Sequence, residues 1–234
     1  MTVPNVLLSG IVGSTAYGLA HAGSDVDRLG VFAAPTDQLH GLHRPKESHV
    51  GTAPDRTFHE AAKWCRLALG GSPTAMELVW LPAELYEVRT PLGDELTGIR
   101  TSLLCAQRVR DAYLGYARQQ FRRLEARGAG PVSTETRGRT AKHARHLKRL
   151  CHQGLELYAT GRLTIRVENP QEYHDFGERV AADATAARSL LRYYENAFDD
   201  TRSVLPLRPD ESAAEGWLRR VRDRFYAPKA AGSR

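Results

Sequence analysis

Leu-Leu-Ser-Gly-Ile-Val-Gly-Ser at residues 7–14 and Ser-Asp-Val-Asp-Arg-Leu-Gly-Val-Phe at residues 24–32 are the stretch from which the fold can be predicted. The first segment is an apolar run that ends in a Gly-Ser turn, and the second is a strand with two carboxylates. Because side chains alternate along a strand, Asp25 and Asp27 are predicted to share one face, with Val26 packed on the other. Two carboxylates this close repel each other unless a cation lies between them. A hard divalent cation such as Mg2+, which takes oxygen ligands and shares them with phosphates, meets this need.

The turn at Gly13-Ser14 opens a short helical segment from Thr15 to about residue 21. A strand, a glycine turn and a helix start can direct backbone N–H groups towards an anion. Such a phosphate site beside metal-binding carboxylates predicts metal-assisted phosphoryl or nucleotidyl transfer. Either motif alone is common in turns or strand edges, and only their spacing and flanking apolar strands make them specific. An EF-hand is excluded because Leu29 and Thr36 occupy the fifth and twelfth loop positions.

The region after residue 54 supplies a third acid. Thr57-x-x-Glu60 matches a capping box, and apolar residues then recur at helical spacing until Gly70-Gly71. Asp55 is therefore expected on a short strand beside the second one, although a loop aspartate before a helix would give the same pattern. A second capping box, Thr74-x-x-Glu77, predicts another helix. Residues 34–54 are predicted to be a loop, and its histidines match no metal-ligand spacing.

These motifs resemble the DNA polymerase beta-like nucleotidyltransferase superfamily, in which Gly-Ser follows an apolar strand and precedes Asp-x-Asp and a later third acid. The chain is more closely similar to the RlaP-type predicted nucleotidyltransferases, a bacterial and phage group associated with RNA repair. The resemblance covers most of residues 5–170 and departs at Ser72, where the group more often has Asn. It rests on Gly13-Ser14-x-x-Tyr17-Gly18, Ser24-Asp25-x-Asp27, Asp55, Glu60, Lys63, Ser72-Pro73, Glu77-Leu78 and Lys142-His143-x-x-His146-x-x-Arg149.

The resemblance implies an α+β fold, in which a small mixed sheet with flanking helices precedes an α-helical C-terminal domain. It implies that two Mg2+ ions, with Mn2+ as an alternative, are held by the catalytic residues Asp25, Asp27 and Asp55. It further implies that the nucleotide is bound by Gly13, Ser14, Lys142 and His143. The pair His143-x-x-His146 could also bind zinc, but the sequence shows no third ligand for it.

The second half of the chain is predicted to be helical. Apolar residues recur at steps of three and four from Leu96 to Leu124, and again from Thr140 to Tyr158. A Gly-rich link at residues 128–138 separates these helices, and two more are predicted at residues 181–196 and 211–224. The expected division is a catalytic domain at 1–90, a basic helical domain at 91–226 and a disordered tail at 227–234.

Charge is distributed unevenly along the chain. Residues 1–90 contain seven Lys and Arg against nine Asp and Glu, whereas residues 100–152 contain 13 against three. The basic segment suggests a polyanionic partner such as RNA, and the alternative is a solvated helix surface. Three scattered cysteines, the lack of an apolar span of about 20 residues and the lack of a basic leader favour a cytoplasmic protein.

The sequence thus predicts an enzyme that transfers NMP from an NTP, with ATP foremost, to a hydroxyl acceptor such as a tRNA or other RNA end. One alternative is the same chemistry on a protein, as in an AMPylating enzyme of a toxin–antitoxin type system. The other is a non-catalytic RNA-binding module, which a remote Asp55 would favour. The acceptor, the base, the number of additions and the oligomeric state stay open.

Overall fold

The computed structural model describes residues 3–52, 55–127 and 134–226, which form a five-stranded mixed sheet with flanking helices and a helical C-terminal region. The predicted fold class is confirmed. The strands are β1 (Val6–Val12), β2 (Asp27–Phe32), β3 (Ser48–Thr52), β4 (Asp55–Glu60) and β5 (Tyr86–Arg89), in the order β3-β4-β2-β1-β5. The β2–β4 pair is parallel, and the other neighbouring pairs are antiparallel.

The helices begin at the Gly-Ser turn and fill most of the chain after the sheet. They are α1 (Gly13–Tyr17), α2 (Thr36–Leu39), α3 (Ala61–Leu69), α4 (Pro73–Val79), α5 (Pro91–Gly98), α6 (Ala106–Arg127), α7 (Thr134–Thr160), α8 (Pro170–Ala182), α9 (Thr185–Asp200) and α10 (Glu211–Arg224). Helix α7 packs against α6, α8 and α9, whereas α10 returns to pack against α3 and α5. No helix among the described residues is both long and apolar enough to cross a membrane.

Several local predictions in the first half are wrong. Asp25 and Val26 precede β2, and Val26 is exposed by 38% rather than packed against the core. The predicted loop at 34–54 contains α2 and β3. The Thr57-x-x-Glu60 pattern does not start a helix, because the alternating residues 55–60 pair with β2 as a strand. Glu60 alone caps α3 and accepts a hydrogen bond of 2.8 Å from the Ala62 N–H.

The second half differs from prediction in several places. The periodic stretch from Leu96 to Leu124 is not one helix, because α5 ends at Gly98 and α6 begins at Ala106. Part of the predicted Gly-rich link belongs to α7, which already begins at Thr134, while residues 128–133 lie outside the described chain. Asn169-Pro170 is expected to interrupt the helical periodicity, but it starts α8 instead. The Asn169 side chain accepts a hydrogen bond from the Glu172 N–H, and proline fits the first turn of a helix. Helix α9 begins at Thr185 rather than 181. The predicted tail at 227–234 is also outside the described residues.

One apolar core joins the sheet to the helices. It includes Leu8 of β1, Trp64 of α3, Leu147 of α7 and Trp217 of α10, all fully buried. The indole N–H of Trp217 donates to the Leu92 carbonyl at 2.8 Å, which ties α10 to the first half of the chain. The domain boundary near residue 90 stays a prediction. The apolar core contains residues from both sides of this boundary.

We expect Gly154→Ala to lower the free energy of unfolding by about 1–3 kcal/mol, because side-chain atoms added to a packed interface force neighbours apart. A Cβ at Gly154 of α7 would lie 2.6 Å from the Tyr113 Cβ of α6. The matched control is Gly115→Ala on α6, where a Cβ would meet no atom within 4 Å. It should stabilise by up to about 1 kcal/mol through helix propensity. Urea unfolding of both variants measures the difference, and equal effects would contradict close packing of α6 on α7.

Candidate functional site

The predicted carboxylates meet at one edge of the sheet. In the parallel pair, Arg28 of β2 lies opposite Arg56 of β4, so Asp27 and Asp55 begin their strands side by side. The Asp55 carboxylate is close enough to Asp27 to contribute to a raised pKa of the Asp27 carboxyl group. Asp25, on the segment before β2, lines the same cavity. Asp55 therefore lies on a strand beside the second one, as predicted, and is not a remote loop residue.

The cavity that these carboxylates border has a volume of about 260 Å3 and is closed on its other side by α7. Lys142 and Arg145 of α7 bring positive charge to the wall that faces the carboxylates. The remaining lining residues come from α1, from the segment that follows it and from α7, and they are Ser14, Tyr17, Leu19, His21, Gly23, Ser24 and His146. Opposite charges on two walls make the cavity suitable for a ligand that carries both phosphate and a bound cation.

Asp27 has the perturbed electrostatics expected of a crowded acid. Burial raises its pKa, and the neighbouring Asp55 and Asp25 charges raise it further, whereas Lys142 opposes the shift. A divalent cation would relieve this repulsion, and the all-oxygen donor set fits Mg2+ better than zinc. Within the described ranges, no three His, Cys, Asp or Glu side chains are already arranged as a metal-ligand group. The Asp27–Asp55 pair is thus brought together by the pairing of β2 with β4 alone.

Gly13 lies directly against the Asp27 carboxylate. Its φ is +70°, and a Cβ on this residue would overlap the Asp27 Oδ2 atom. Glycine is therefore required both by the left-handed backbone and by the closeness of the acid. The Gly13 N–H donates to Glu77 Oε1 at 2.8 Å, so this amide is already bonded within the protein. Of the two residues predicted to contact phosphate, Ser14 is the one that lines the cavity.

Helix α7 presents a different set of residues from the one predicted. Lys142 lines the cavity, but the His143 Nδ1 atom lies 2.7 Å from Gln120 Oε1 of α6, and His143 is not among the described cavity-lining residues. Arg145 and His146 line it instead. The spacing of Arg145 and His146 could have indicated their place in the cavity, because positions three and four residues after Lys142 share its helix face.

His146 is a neutral hydrogen-bonding group in this wall. Burial, with the Arg149 charge next, lowers its pKa to about 3. The Arg149 Nη2 atom lies 3.3 Å from His146 Nδ1, and a guanidinium can only donate. His146 Nδ1 is therefore the acceptor, which leaves the ring proton on Nε2. His143 and His146 have different partners, Gln120 and Arg149, and do not form a shared zinc site among the described residues.

A buried polar group behind the cavity was missed by the sequence analysis. Glu77 does not act in a capping box, because α4 has Ser72 as its N-cap residue and no side-chain cap. Its carboxylate instead accepts the Gly13 N–H and, at 2.6 Å, the Tyr17 hydroxyl. The guanidinium of Arg149 lies 3.8 Å from the centre of the Tyr17 ring. The sequence feature that could have indicated this buried group is a single acid in a helix whose other residues are largely apolar.

The basic character of α6 is smaller than the residue count suggested. Three of its arginines, Arg108, Arg110 and Arg118, form ion pairs with acids of α9 and α10, namely Glu211, Asp199 and Glu195. These acids lie far along the chain, so a count over residues 100–152 could not include them. The positive charge that borders the carboxylate cavity comes from α7.

Comparison with known protein families gives one match, over residues 2–191, to RlaP, described as an RNA repair pathway DNA polymerase beta family. Because this match covers most of the chain, the protein belongs to the RlaP family, and the resemblance inferred from its motifs is confirmed. No match was found among curated proteins. The matched residues include the three carboxylates, Glu77 and the cavity-facing part of α7. Membership of a polymerase beta-like family is consistent with nucleotidyltransferase activity.

We expect Asp27→Asn to raise the Tm at about pH 7 in the presence of a chelator. The pKa of Asp27 is raised in the folded protein. Between the ordinary and the raised pKa the folded state binds more protons than the unfolded state, so stability falls as pH rises through this interval. Calorimetry from neutral to acidic pH should show the advantage of the variant shrinking as the pH falls through this interval and reaching its minimum below about pH 3, where the acid is protonated in both states.

The control for this measurement is Asp183→Ala, for which the opposite sign is expected. Hydrogen bonds from Thr185 lower the pKa of Asp183, so this acid contributes stability at neutral pH that is lost on acidification. Asp183→Ala should therefore lower the Tm at about pH 7. A lower Tm for Asp27→Asn under the same conditions would contradict the crowding of the carboxylates.

Proposed function

We propose that the protein is a metal-dependent nucleotidyltransferase that transfers NMP from an NTP, with ATP as the first candidate, to an acceptor hydroxyl. The observation that carries this proposal is the side-by-side start of β2 and β4 at Asp27 and Asp55, facing Lys142 across one cavity. Family membership supports the reaction class. An RNA end is the first candidate for the acceptor, because the family is described as part of an RNA repair pathway.

In this proposal Asp25, Asp27 and Asp55 hold Mg2+, as two ions, with Mn2+ as an alternative. Bound there, the metal would neutralise triphosphate charge and make the acceptor hydroxyl more acidic. The fit rests on the oxygen-only donor set and on the burial and carboxylate repulsion that together raise the pKa of Asp27. Both features describe a site in which positive charge is stabilised.

The protein's own residues have separate roles in the transfer. The acceptor oxygen forms a bond to the α-phosphorus, the bond from that phosphorus to the bridging oxygen breaks, and pyrophosphate leaves. Asp55 would take the acceptor proton as general base. Lys142, with Arg145 beside it, would balance the charge of the leaving pyrophosphate, and the Ser14 hydroxyl would donate to a phosphate oxygen. No step is assigned to His143, whose ring contacts Gln120.

A second candidate is transfer to a hydroxyl of a protein, which is AMPylation when the NTP is ATP. One observation keeps this candidate open. Three arginines of α6, Arg108, Arg110 and Arg118, are paired with acids of α9 and α10, which reduces the surface available for phosphate contacts with RNA. A non-catalytic binding module is disfavoured because Asp25, Asp27 and Asp55 border the same cavity.

The deciding experiment offers α-labelled ATP, GTP, CTP and UTP separately, with Mg2+, to total RNA and to a protein extract. The matched control is the Asp25→Asn/Asp27→Asn double variant. Label on RNA that disappears in the double variant supports the proposal and names the base. Label on protein would instead identify a protein as the acceptor. Absence of both labelling and Mg2+-dependent NTP binding would overturn the proposed function.

We expect Gly13→Ala to lower the transfer rate by at least about 100-fold, since misplacement of a reacting group by about 1 Å has effects of that size. The added Cβ would overlap the Asp27 Oδ2 atom and displace the carboxylate. Gly18→Ala is the matched control, because Gly18 has a similar φ of +73° but a Cβ there would be 3.7 Å from its nearest neighbour. Initial rates of both variants separate contact with Asp27 from backbone strain. Equal losses would contradict the role given to Gly13.

A further inference from the structure

We propose that Glu77 is a positioning residue for Asp27, acting through the Gly13 turn. It does not border the cavity and would not touch the substrate. Its importance for catalysis rests on the function proposed above, whereas its effect on the turn is a property of the folded protein alone. The inference depends on two series of contacts that start at Glu77 on α4. The inner series leads through Gly13 to the Asp27 carboxylate, and the outer series leads through Tyr17 to α7.

The inner contacts join Glu77 to the carboxylate in two steps. Glu77 Oε1 accepts the Gly13 N–H at 2.8 Å, which fixes the peptide group between β1 and α1. On the other side of Gly13, the space that a Cβ would occupy is filled by the Asp27 Oδ2 atom. A shift of this turn would therefore press on the Asp27 carboxylate or open a gap beside it. By fixing the turn, Glu77 therefore restricts the position of the Asp27 carboxylate on the side that contacts Gly13.

The outer contacts connect the Glu77 carboxylate to the helical second half of the chain. Glu77 Oε2 accepts the Tyr17 hydroxyl at 2.6 Å, and Arg149 of α7 covers the Tyr17 ring. Arg149 is itself held by a hydrogen bond of 2.6 Å to Gln153 Oε1. The Val167 N–H donates to the Tyr17 carbonyl at 3.1 Å. Both ends of α1 are thus fixed, one by Glu77 directly and the other through Tyr17.

Packing alone does not explain an acid at position 77. Glu77 is 5% exposed and lies between the fully buried Met76 and Leu78. An apolar side chain would fill that space without the desolvation that a buried carboxylate incurs. Burial raises the pKa of Glu77, and the Arg149 charge with the hydrogen bonds from Tyr17 and Gly13 opposes that shift. What the carboxyl group supplies is two acceptor oxygens at the right distance from two donors.

Length and charge can be separated at this position. Glu77→Gln keeps the length, so its amide oxygen can still accept the Gly13 N–H while its NH2 group donates to the Tyr17 oxygen. Glu77→Asp keeps the charge near Arg149 but is one methylene shorter and cannot reach both partners. A positioning role predicts that Gln preserves the site and Asp impairs it. A role through negative charge predicts the reverse order.

The experiment measures three quantities on the full chain. Amide hydrogen exchange at Gly13 is followed by NMR, Mn2+ affinity by electron paramagnetic resonance, and NMP transfer by initial rates. Tyr17→Phe is the control, because it removes the outer donor and leaves the Gly13 bond in place.

For Glu77→Gln we expect all three quantities within about threefold of wild type, since the Gly13 hydrogen bond persists. For Tyr17→Phe the expectation concerns Gly13 exchange alone, which should stay within about threefold of wild type for the same reason. For Glu77→Asp we expect Gly13 exchange to accelerate and Mn2+ affinity to fall by at least about tenfold each. Its kcat should fall by at least about 30-fold with the NTP KM within about threefold, the pattern of a lost transition-state interaction.

Two outcomes would overturn the inference. One is a Glu77→Gln variant impaired as much as Glu77→Asp or more, which would point to charge. The other is a Glu77→Asp variant with wild-type exchange and Mn2+ binding. If Glu77→Asp does not fold, Glu77→Gln decides alone: preserved Gly13 protection supports positioning, and lost protection overturns it.

Failure of this inference is distinguishable from failure of the proposed function. Gly13 exchange and Mn2+ binding require no transfer, so they test positioning even if wild type transfers no NMP. A wild type that transfers NMP, beside a Glu77→Asp variant that does so equally well, removes only the role of Glu77.

Discussion

The parallel pairing of β2 with β4 is the constraint on which the site depends. Antiparallel neighbours would place the starts of the two strands at opposite edges of the sheet, whereas parallel neighbours bring them together. Here the pairing of Arg28 with Arg56 puts Asp27 next to Asp55. The resulting repulsion is intrinsic to the fold, and the Lys142 charge on α7 offsets only part of it. An arrangement that a cation would stabilise is compatible with the metal-dependent reaction proposed above.

The cavity is built by both halves of the chain. The sheet supplies the acids, and α7 supplies Lys142 and Arg145 on the facing wall. Between them lies the short helix α1, which is held by Glu77 from the side of α4 and covered by Arg149 from the side of α7. The spacing between acidic and basic walls therefore depends on packing between segments that are far apart in sequence.

Much of this site could be predicted because its signals are local. The Gly-Ser turn, Asp25, Asp27 and the apolar periodicity of α6 and α7 are patterns of neighbouring residues. Several of the errors share one cause, which is a tertiary partner that no local pattern contains. Glu60 and Glu77 both complete capping-box patterns, yet Arg222 bonds the first and Gly13 the second. Three arginines of α6 likewise have acidic partners on α9 and α10 that the local sequence does not show.

The return of α10 to the first half has a consequence for the nascent chain. Arg222 donates to the buried Glu60 carboxylate, and Trp217 donates to the Leu92 carbonyl. During synthesis Glu60 and Leu92 leave the ribosome more than a hundred residues before these partners. A buried carboxylate without its cation is strongly destabilising. The contacts that α10 makes with the sheet and with α5 can therefore form only after residues 211–224 have been translated, so the packing of the first half is completed late in synthesis.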